Sequence, residues 1–458
     1  MTSASSLNDV VSQLQRTFSG QVLLPSDPGY DDARSIHNGL IDKRPSLIAR
    51  CRGVADIADA IKVARDRTLE IAVRGGGHNV AGRATTDGGI MIDLSAMTGM
   101  HVDAKARTIR AQGGVTWGGF NRETQLFGLA ATGGVVSTTG VGGLTLGGGI
   151  GWLTSKHGLA LDNLISAEIV LADGRVVTAS MADNPDLFWG LRGGGGNFGV
   201  AASLEFRLYP VGPLVTAGVI AWPLSAARDV MRFYREITAS LPDEFMIYAA
   251  FLHAEDAPAT KLIAIVLCHC GSLEAGERAV QPIKQFGTPV MDAIGAMPYT
   301  DLNMMLDASY PRGALNYWKS SFLSGLSDAA IDTMIDCFAE CQTPESHFVL
   351  EHFHGAVTRI GVADTAFPFR SEGYNFLILG QWTHRKDSDA AITWARKAYS
   401  AMQPFVGTSR YVNYLGDDET TDSVASAYGT NYRRLQKVKA TYDPENVFRM
   451  NQNIRPLA

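Results

Sequence analysis

Residues 133–151 read GGVVSTTGVGGLTLGGGIG, with nine glycines. A second tract, residues 190–199, reads GLRGGGGNFG and holds six, and Arg74-Gly75-Gly76-Gly77-His78 forms a third cluster. They belong to a total of 48 glycines in 458 residues, about 10% against an ordinary ~7%. Flexible linkers pair glycine with serine and charge. Here the glycines alternate with Val141, Leu144, Leu146, Ile150, Trp152, Phe198 and Val200. Such a pattern describes ordered backbone held close to a flat or phosphorylated ligand, because glycine alone brings main chain up to a ligand without a Cβ. The common phosphate loops do not fit. No Gly-Lys-Ser/Thr occurs, which excludes a Walker A loop. Gly140-Val141-Gly142-Gly143-Leu144-Thr145 lacks the third glycine of the dinucleotide fingerprint and follows no clear strand of a βαβ unit. No G-x-S-x-G elbow appears, which argues against a hydrolase.

The rest of the chain has ordinary globular composition, 46% apolar and 19% charged, and its length suggests two or three domains. A net charge of −6 argues against coating nucleic acid or an anionic membrane. The longest clean apolar run, Leu262 to Cys268, falls far short of the ~20 residues of a bilayer span. Met1 to Leu14 shows neither the basic nor the apolar region of a secretory signal, so the expected location is cytoplasmic. Cys51, Cys268, Cys270, Cys337 and Cys341 are too few for a disulfide scaffold. Cys268-His269-Cys270 closes a strand-like run with no second ligand pair nearby, and reads as core thiols with no metal.

Apolar periodicity predicts helices at 7–18, 54–67 and 116–127, and strands at 70–74, 89–94 and 108–112. Ala172-Asp173-Gly174 between 168–171 and 175–178 predicts a hairpin. Pro210 and Pro213 mark a change of texture. Beyond them helical patterns at 224–240, 273–286, 327–342 and 387–404 alternate with strands at 246–252, 260–268, 347–353 and 374–382. The expectation is an α+β protein: residues 1–210 one domain, 211–404 an antiparallel sheet backed by helices on one face, and 405–458 returning to the first domain. A small-molecule site is expected in the cleft between them.

The motifs at Arg74–Asn79, Gly140–Gly149, Lys156–Asn163, Asp186–Gly199 and Tyr411-Val412-Asn413-Tyr414 recur in this order in a known family. The chain resembles the berberine-bridge-enzyme-like group of the vanillyl-alcohol-oxidase flavoproteins, in particular its bacterial 6-hydroxy-D-nicotine oxidase and enterocin flavin oxygenase type. The resemblance implies FAD held by the N- and C-terminal parts, a central substrate domain over the flavin ring, and a covalent bond from His78 to the flavin. Relatives with a second link carry a cysteine where Val136 stands, so the expected attachment is through His78 only. Carried over residue by residue, the implied cofactor contacts also include Arg74, Gly75, Gly76, Gly77, Asn79, Gln112, Gly134, Val136, Ser137, Thr138, Gly140, Gly142, Gly143, Leu144, Gly149, Trp152, Gly158, Leu159, Asn163, Gly199, Val200, Tyr411, Asn413, Asn451 and Asn453.

The implied activity is an oxidase. Hydride leaves a carbon next to an alcohol or sugar hydroxyl, and oxygen regenerates the flavin with release of H2O2; an amine oxidase or a flavin oxygenase is the alternative. A base must take the substrate proton. Tyr414 matches the base of carbohydrate oxidases in the family, but a phenol of pKa ~10 needs nearby charge to serve. Glu351 is the second candidate. In the strand pattern 348–353 it shares a face with Phe353, while His352 and His354 face the other way. Tyr317 is a possible wall of the site, and Gln381 and His384 are weaker candidates. The expected partners are a small-molecule substrate and O2, with no nucleic acid and no membrane, and the chain is expected as a monomer or homodimer.

Overall fold

The computed structural model describes residues 11–457 except 13, 15, 419 and 420. Half of the helix expected over 7–18 lies outside the described residues.

Two larger sheets occupy the N-terminal part of the described residues, beside a two-stranded pair of Leu129–Ala130 and Tyr209–Pro210. In the first, Leu47–Arg50, Ile90–Asp93 and Ile71–Arg74 run parallel, with Gln21–Leu23 antiparallel at the edge. The helix Val54–Asp66 buries Ile57, Ala60, Ile61 and Ala64 against it, the i, i+3, i+4 stripe of an amphipathic helix. The second sheet is antiparallel, in the order Met100–Asp103, Thr108–Gln112, Val200–Arg207, Leu164–Val170, Val176–Ser180. Its Val170↔Val176 pair closes the Asp-Gly hairpin.

The remaining large sheet has eight antiparallel strands. Its main path is Met291–Asp292, Leu214–Pro223, Lys261–His269, Phe245–His253, His347–Phe353, Gly373–Trp382, Leu315–Leu323. One face is covered by the helices Ala227–Thr238, Leu273–Lys284, Asp328–Ala339 and Ser388–Met402, through a core that includes Tyr234, Met334, Phe338, Phe348 and Phe376. The opposite face packs Met246, Tyr248, Val266 and Phe353 against Ile150, Trp152, Leu153 and Tyr411 of the glycine-tract side. Alternation along His347–Phe353 therefore sends Phe348 and Leu350 into the helices and Val349 and Glu351 toward the glycine loops.

The C-terminal segment docks back on the glycine tracts. Asn413 Nδ2 donates to Leu144 O at 3.0 Å, and the Gly149 N–H donates to Tyr411 OH at 2.8 Å. Lys439, fully buried, donates to Asn197 O and Asp443 at 2.6 Å each, and Asn451 Nδ2 donates to Gly196 O at 2.7 Å. No described helix is long and apolar enough to cross a membrane.

Candidate active site

Two glycine loops meet back to back at the floor of the site. A Cβ built on Gly76 would lie 2.3 Å from Gly140 N, and one on Gly140 would lie 2.3 Å from Gly76 N. No side chain fits that contact. A cavity of 1530 Å³ opens above it, larger than the ~300–1,000 Å³ of an ordinary ligand pocket. It has room for a large cofactor together with a substrate.

The cavity brings together Gly75, Gly76, Gly77, His78 and Asn79 from the first loop, and Gly134, Val136, Gly140, Gly142, Gly143 and Leu144 from the second. Gly199, Val200, Asn413 and Asn451 complete this part, with Glu351 and Tyr414 above. Its walls therefore come from both ends of the chain and from the eight-stranded sheet.

Other expected contacts stand behind the wall. Thr138 Oγ1 lies 2.8 Å from His78 Nε2. Ser137 is tied to Asp307, with Oγ donating at 2.5 Å. Tyr411 and Asn163 hold the tract together through the Gly149 N–H and the Leu159 carbonyl. Gly149, Gly158, Leu159 and Trp152 pack behind it. Arg74 reaches the Ala33 carbonyl and Gln112 accepts from the Gly99 N–H. Asn453 keeps a buried Oδ1 with no partner among the described residues.

Tyr317 corrects the sequence reading. Its ring belongs to the core under the helices, and its hydroxyl donates to Asp418 at 2.6 Å. Strand alternation puts the next residue, Trp318, in the cavity instead, edge-on to Tyr414 with ring centroids 5.8 Å apart. His352 and His354 stack on each other at 4.4 Å, and His352 lies against Tyr374 on the helix side. Three participants escaped the sequence: His37, Asn375 and Tyr248. His37 stacks on His78 at 3.9 Å. Asn375 and Tyr248 are the cross-strand neighbours of Glu351, which only the strand register reveals.

Glu351 is the only described carboxylate sealed into the middle of this cavity, 5% exposed. Tyr414 OH donates to its Oε1 at 3.0 Å and Asn375 Nδ2 to its Oε2 at 2.5 Å. Burial raises its pKa to about 7, against the opposing pull of these two donors. Burial, and then the Glu351 charge, hold the Tyr414 phenol well above its ordinary value. The pair is thus arranged with the carboxylate accepting and the phenol donating.

His78 is set for a different task. Burial, assisted by His37, lowers its pKa to about 3, so the imidazole is neutral. None of the five cysteines, all among the described residues, lines the cavity. The glycine floor fits a flat, phosphorylated cofactor, and Gly76→Ala tests that fit. Overpacking of this kind costs ~1–3 kcal/mol. The variant is expected to load less than about a tenth of the cofactor of the parent, read as bound cofactor per protein; full loading would show that the two loops part freely.

With this geometry in view, comparison with known proteins gives a single answer. The FAD binding domain profile matches residues 45–180, and the profile described as "Berberine and berberine like" matches residues 410–455. The (R)-6-hydroxynicotine oxidase of Paenarthrobacter nicotinovorans is 34% identical over 96% of this chain and 97% of its own. YvdP of Bacillus subtilis strain 168, named as an uncharacterized FAD-linked oxidoreductase, is 30% identical over 96% and 98%. The crystal structure of 6-hydroxy-D-nicotine oxidase from Arthrobacter nicotinovorans matches with a TM-score of 0.87 and 31% identity, covering 96% of this chain and 99% of that one. A variant of berberine bridge enzyme, in complex with (S)-reticuline, shares the fold at a TM-score of 0.88 and 24% identity, covering 98% and 99%. The chain is an FAD-dependent oxidoreductase and belongs to the berberine bridge enzyme-like family.

Proposed function

We propose that the chain is an oxidase acting on a carbon that bears an amino or hydroxyl group, with O2 as electron acceptor and H2O2 as product. We propose further that its FAD is attached through His78 alone. Bound FAD supplies the hydride acceptor. The observation that carries the reading is the sealed Glu351, with Tyr414 and Asn375 donating to it, above the glycine floor.

Glu351, once ionised, takes the proton from the substrate N–H or O–H as the C–H bond is broken. Tyr414 and Asn375 orient the carboxylate and stabilise its charge. On the same face stand Tyr248, Val266, Trp318, Val349 and Leu377, and among them the buried Tyr248 hydroxyl has no partner among the described residues. Apart from that one hydroxyl, these walls offer little to the many hydroxyls of a sugar, most of which would lie buried without partners. They favour an apolar body, and an anionic carboxylate beside them favours an amine over a neutral alcohol.

Anaerobic mixing of the loaded enzyme with aryl-alkyl amines, the matching alcohols and a set of sugars tests this. The amines are expected to bleach the flavin fastest, with colour and H2O2 returning on admission of air. Bleaching by sugars alone would overturn the substrate reading.

Tyr414→Phe separates the roles of the pair. Removing one hydrogen bond to a charged group, worth ~1.5–3 kcal/mol, is expected to slow flavin reduction roughly tenfold or somewhat more. It should also move the inflection of the pH profile upward, because the carboxylate loses a donor. A profile with the wild-type inflection would remove Tyr414 from contact with the base.

A further inference from the structure

The strand Leu315–Leu323 is the last on the main path of the eight-stranded sheet, and among the described strands it pairs with Gly373–Trp382 alone. Alternation points Trp318 into the cavity and sends Tyr317 and Lys319 to the other face. There Lys319 Nζ lies 5.9 Å from the ring of Tyr399, on the helix Ser388–Met402. The C-terminal segment grips this edge strand from both sides. On the inner face the Tyr414 ring meets Trp318 edge-on, with 5.8 Å between centroids. On the outer face Asp418, four residues later in the chain, collects three donors. Tyr317 OH donates to its Oδ2 at 2.6 Å, Lys319 Nζ to its Oδ1 at 2.8 Å, and Arg396 Nη2 to its Oδ2 at 3.3 Å. Arg396 Nε also donates to the Tyr317 oxygen at 3.0 Å, which commits the phenolic hydrogen to Asp418.

Exposed ion pairs hold little, but Tyr317 and Lys319 are only 6% and 9% exposed, and donors of this kind make short, strong bonds to a carboxylate. Partial burial would raise the pKa of Asp418; the bonds from Lys319 and Tyr317 outweigh it and hold the group below its ordinary value. Asp418 is therefore an anion throughout the range in which Glu351 ionises. Only Leu415, Gly416 and Asp417 separate it from Tyr414. Four steps of chain reach about 14 Å at most, which leaves little slack for a segment passing from one face of a strand to the other. Leu415 and Gly416 are buried, Leu415 in the core beneath the glycine tracts. An anchored Asp418 thus fixes the approach of Tyr414, whose hydroxyl donates to Glu351 at 3.0 Å.

We infer that Asp418, held by Tyr317, Lys319 and Arg396, is a positioning residue of the active site, anchoring the segment that aims the Tyr414 hydroxyl at Glu351. Asp418 does not line the cavity. Burial, Asn375 and Tyr414 set the pKa of Glu351, so the influence of Asp418 travels through Tyr414. The phenols of Tyr234, Tyr248, Tyr310, Tyr411 and Tyr414 feel the Glu351 charge, and all are held above their ordinary value. His347 and His352 on the same strand are neutral, with pKa values of about 4 and about 3. Glu351 alone in this group ionises near pH 7. The kinetic arm of the inference rests on the proposed role of Glu351 as base; the hydrogen bond it concerns is independent of any substrate.

The test uses the FAD-loaded enzyme and two readings of Glu351 ionisation: the pH profile of anaerobic flavin reduction, and flavin absorbance titrated against pH with no substrate present. Asp418→Asn is expected to move both inflections upward, as Tyr414→Phe does, because the carboxylate loses a well-aimed donor. It should slow reduction roughly threefold to tenfold, within the loss of one hydrogen bond to a charged group. In the Tyr414→Phe background Asp418→Asn should change neither inflection nor rate further, since no hydroxyl is left to aim. Tyr317→Phe keeps the ring in the core and removes one donor. It should give a smaller shift of the same sign, and it carries the test if Asp418→Asn fails to load flavin. The parental inflection in Asp418→Asn with flavin bound would overturn the inference. So would a shift that persists undiminished in the Tyr414→Phe background, which would mark Asp418 as general structural support. A shifted substrate-free inflection in an enzyme that neither amines nor alcohols bleach would support the positioning role and count against the oxidase reading alone.

Discussion

Glu351→Gln is expected to slow flavin reduction by roughly 10²–10⁴, the range for loss of a general base, while FAD stays bound. The parent rate should rise with pH through about 7, because only the ionised carboxylate accepts a proton and burial places its pKa there. The variant should lose that inflection. Stability runs the opposite way. With a folded pKa above the ordinary 4.5, Glu351 keeps its proton in the folded state while the unfolded chain has lost it. Its burial therefore does no harm below about pH 4.5, destabilises progressively as pH rises toward 7, and reaches a plateau above. The gap corresponds to roughly 3 kcal/mol, an upper bound, because the amide of the variant cannot accept from both Tyr414 and Asn375. Above pH 7 the variant should melt higher than the parent, and below pH 4.5 the two should coincide. Stopped-flow reduction and thermal melting against pH measure both. An unchanged rate profile would hand the base role to Tyr414, despite a phenol held above its ordinary pKa.

Period-two alternation over 347–353 puts Glu351 on the inward face and His352 and His354 on the other, because a strand leaves a side chain no third choice. The same rule exposes the error at Tyr317. Which face of the strand Leu315–Leu323 meets the helices is not readable from its own residues, and Tyr317 and Trp318 exchange roles on that point. Local signals are weakest where packing decides. Val141–Gly147 is a helix whose sequence, rich in glycine, argues against one. Its form follows from contacts made elsewhere in the chain: a Cβ on Gly147 would lie 2.0 Å from Asn413 Oδ1. Leu214–Pro223, a central strand, is masked by Pro210 and Pro213, which precede it and read as a boundary. The glycine cradle is legible because its chemistry is written in consecutive residues.

His78→Ala is expected to abolish covalent flavin, taking the fraction that survives acid precipitation from nearly all to none. The glycine floor is untouched by the change, so FAD should still bind, now releasable, and the apolar substrate walls should still form. The neutral His78 ring has a nitrogen lone pair to offer, whereas an imidazolium would have none. His37, stacked at 3.9 Å, holds the ring plane, and the Thr138 and Thr139 hydroxyls, 2.8 and 3.3 Å from its two nitrogens, fix its rotation. His37→Ala should therefore slow attachment without preventing it. Val136 supplies the complementary arm. It lines the same cavity, at the position where the family resemblance implies a cysteine for a second link, and a valine has no sulfur to bond. In the His78→Ala background, Val136→Cys should restore an acid-stable flavin, detected as fluorescence in a denaturing gel and mapped to a peptide containing position 136. Acid-releasable flavin in the parent would defeat the single-link proposal. Acid-stable flavin in His78→Ala alone would show that another residue makes the bond. Each arm reads the attachment itself, so the result does not depend on identifying the substrate.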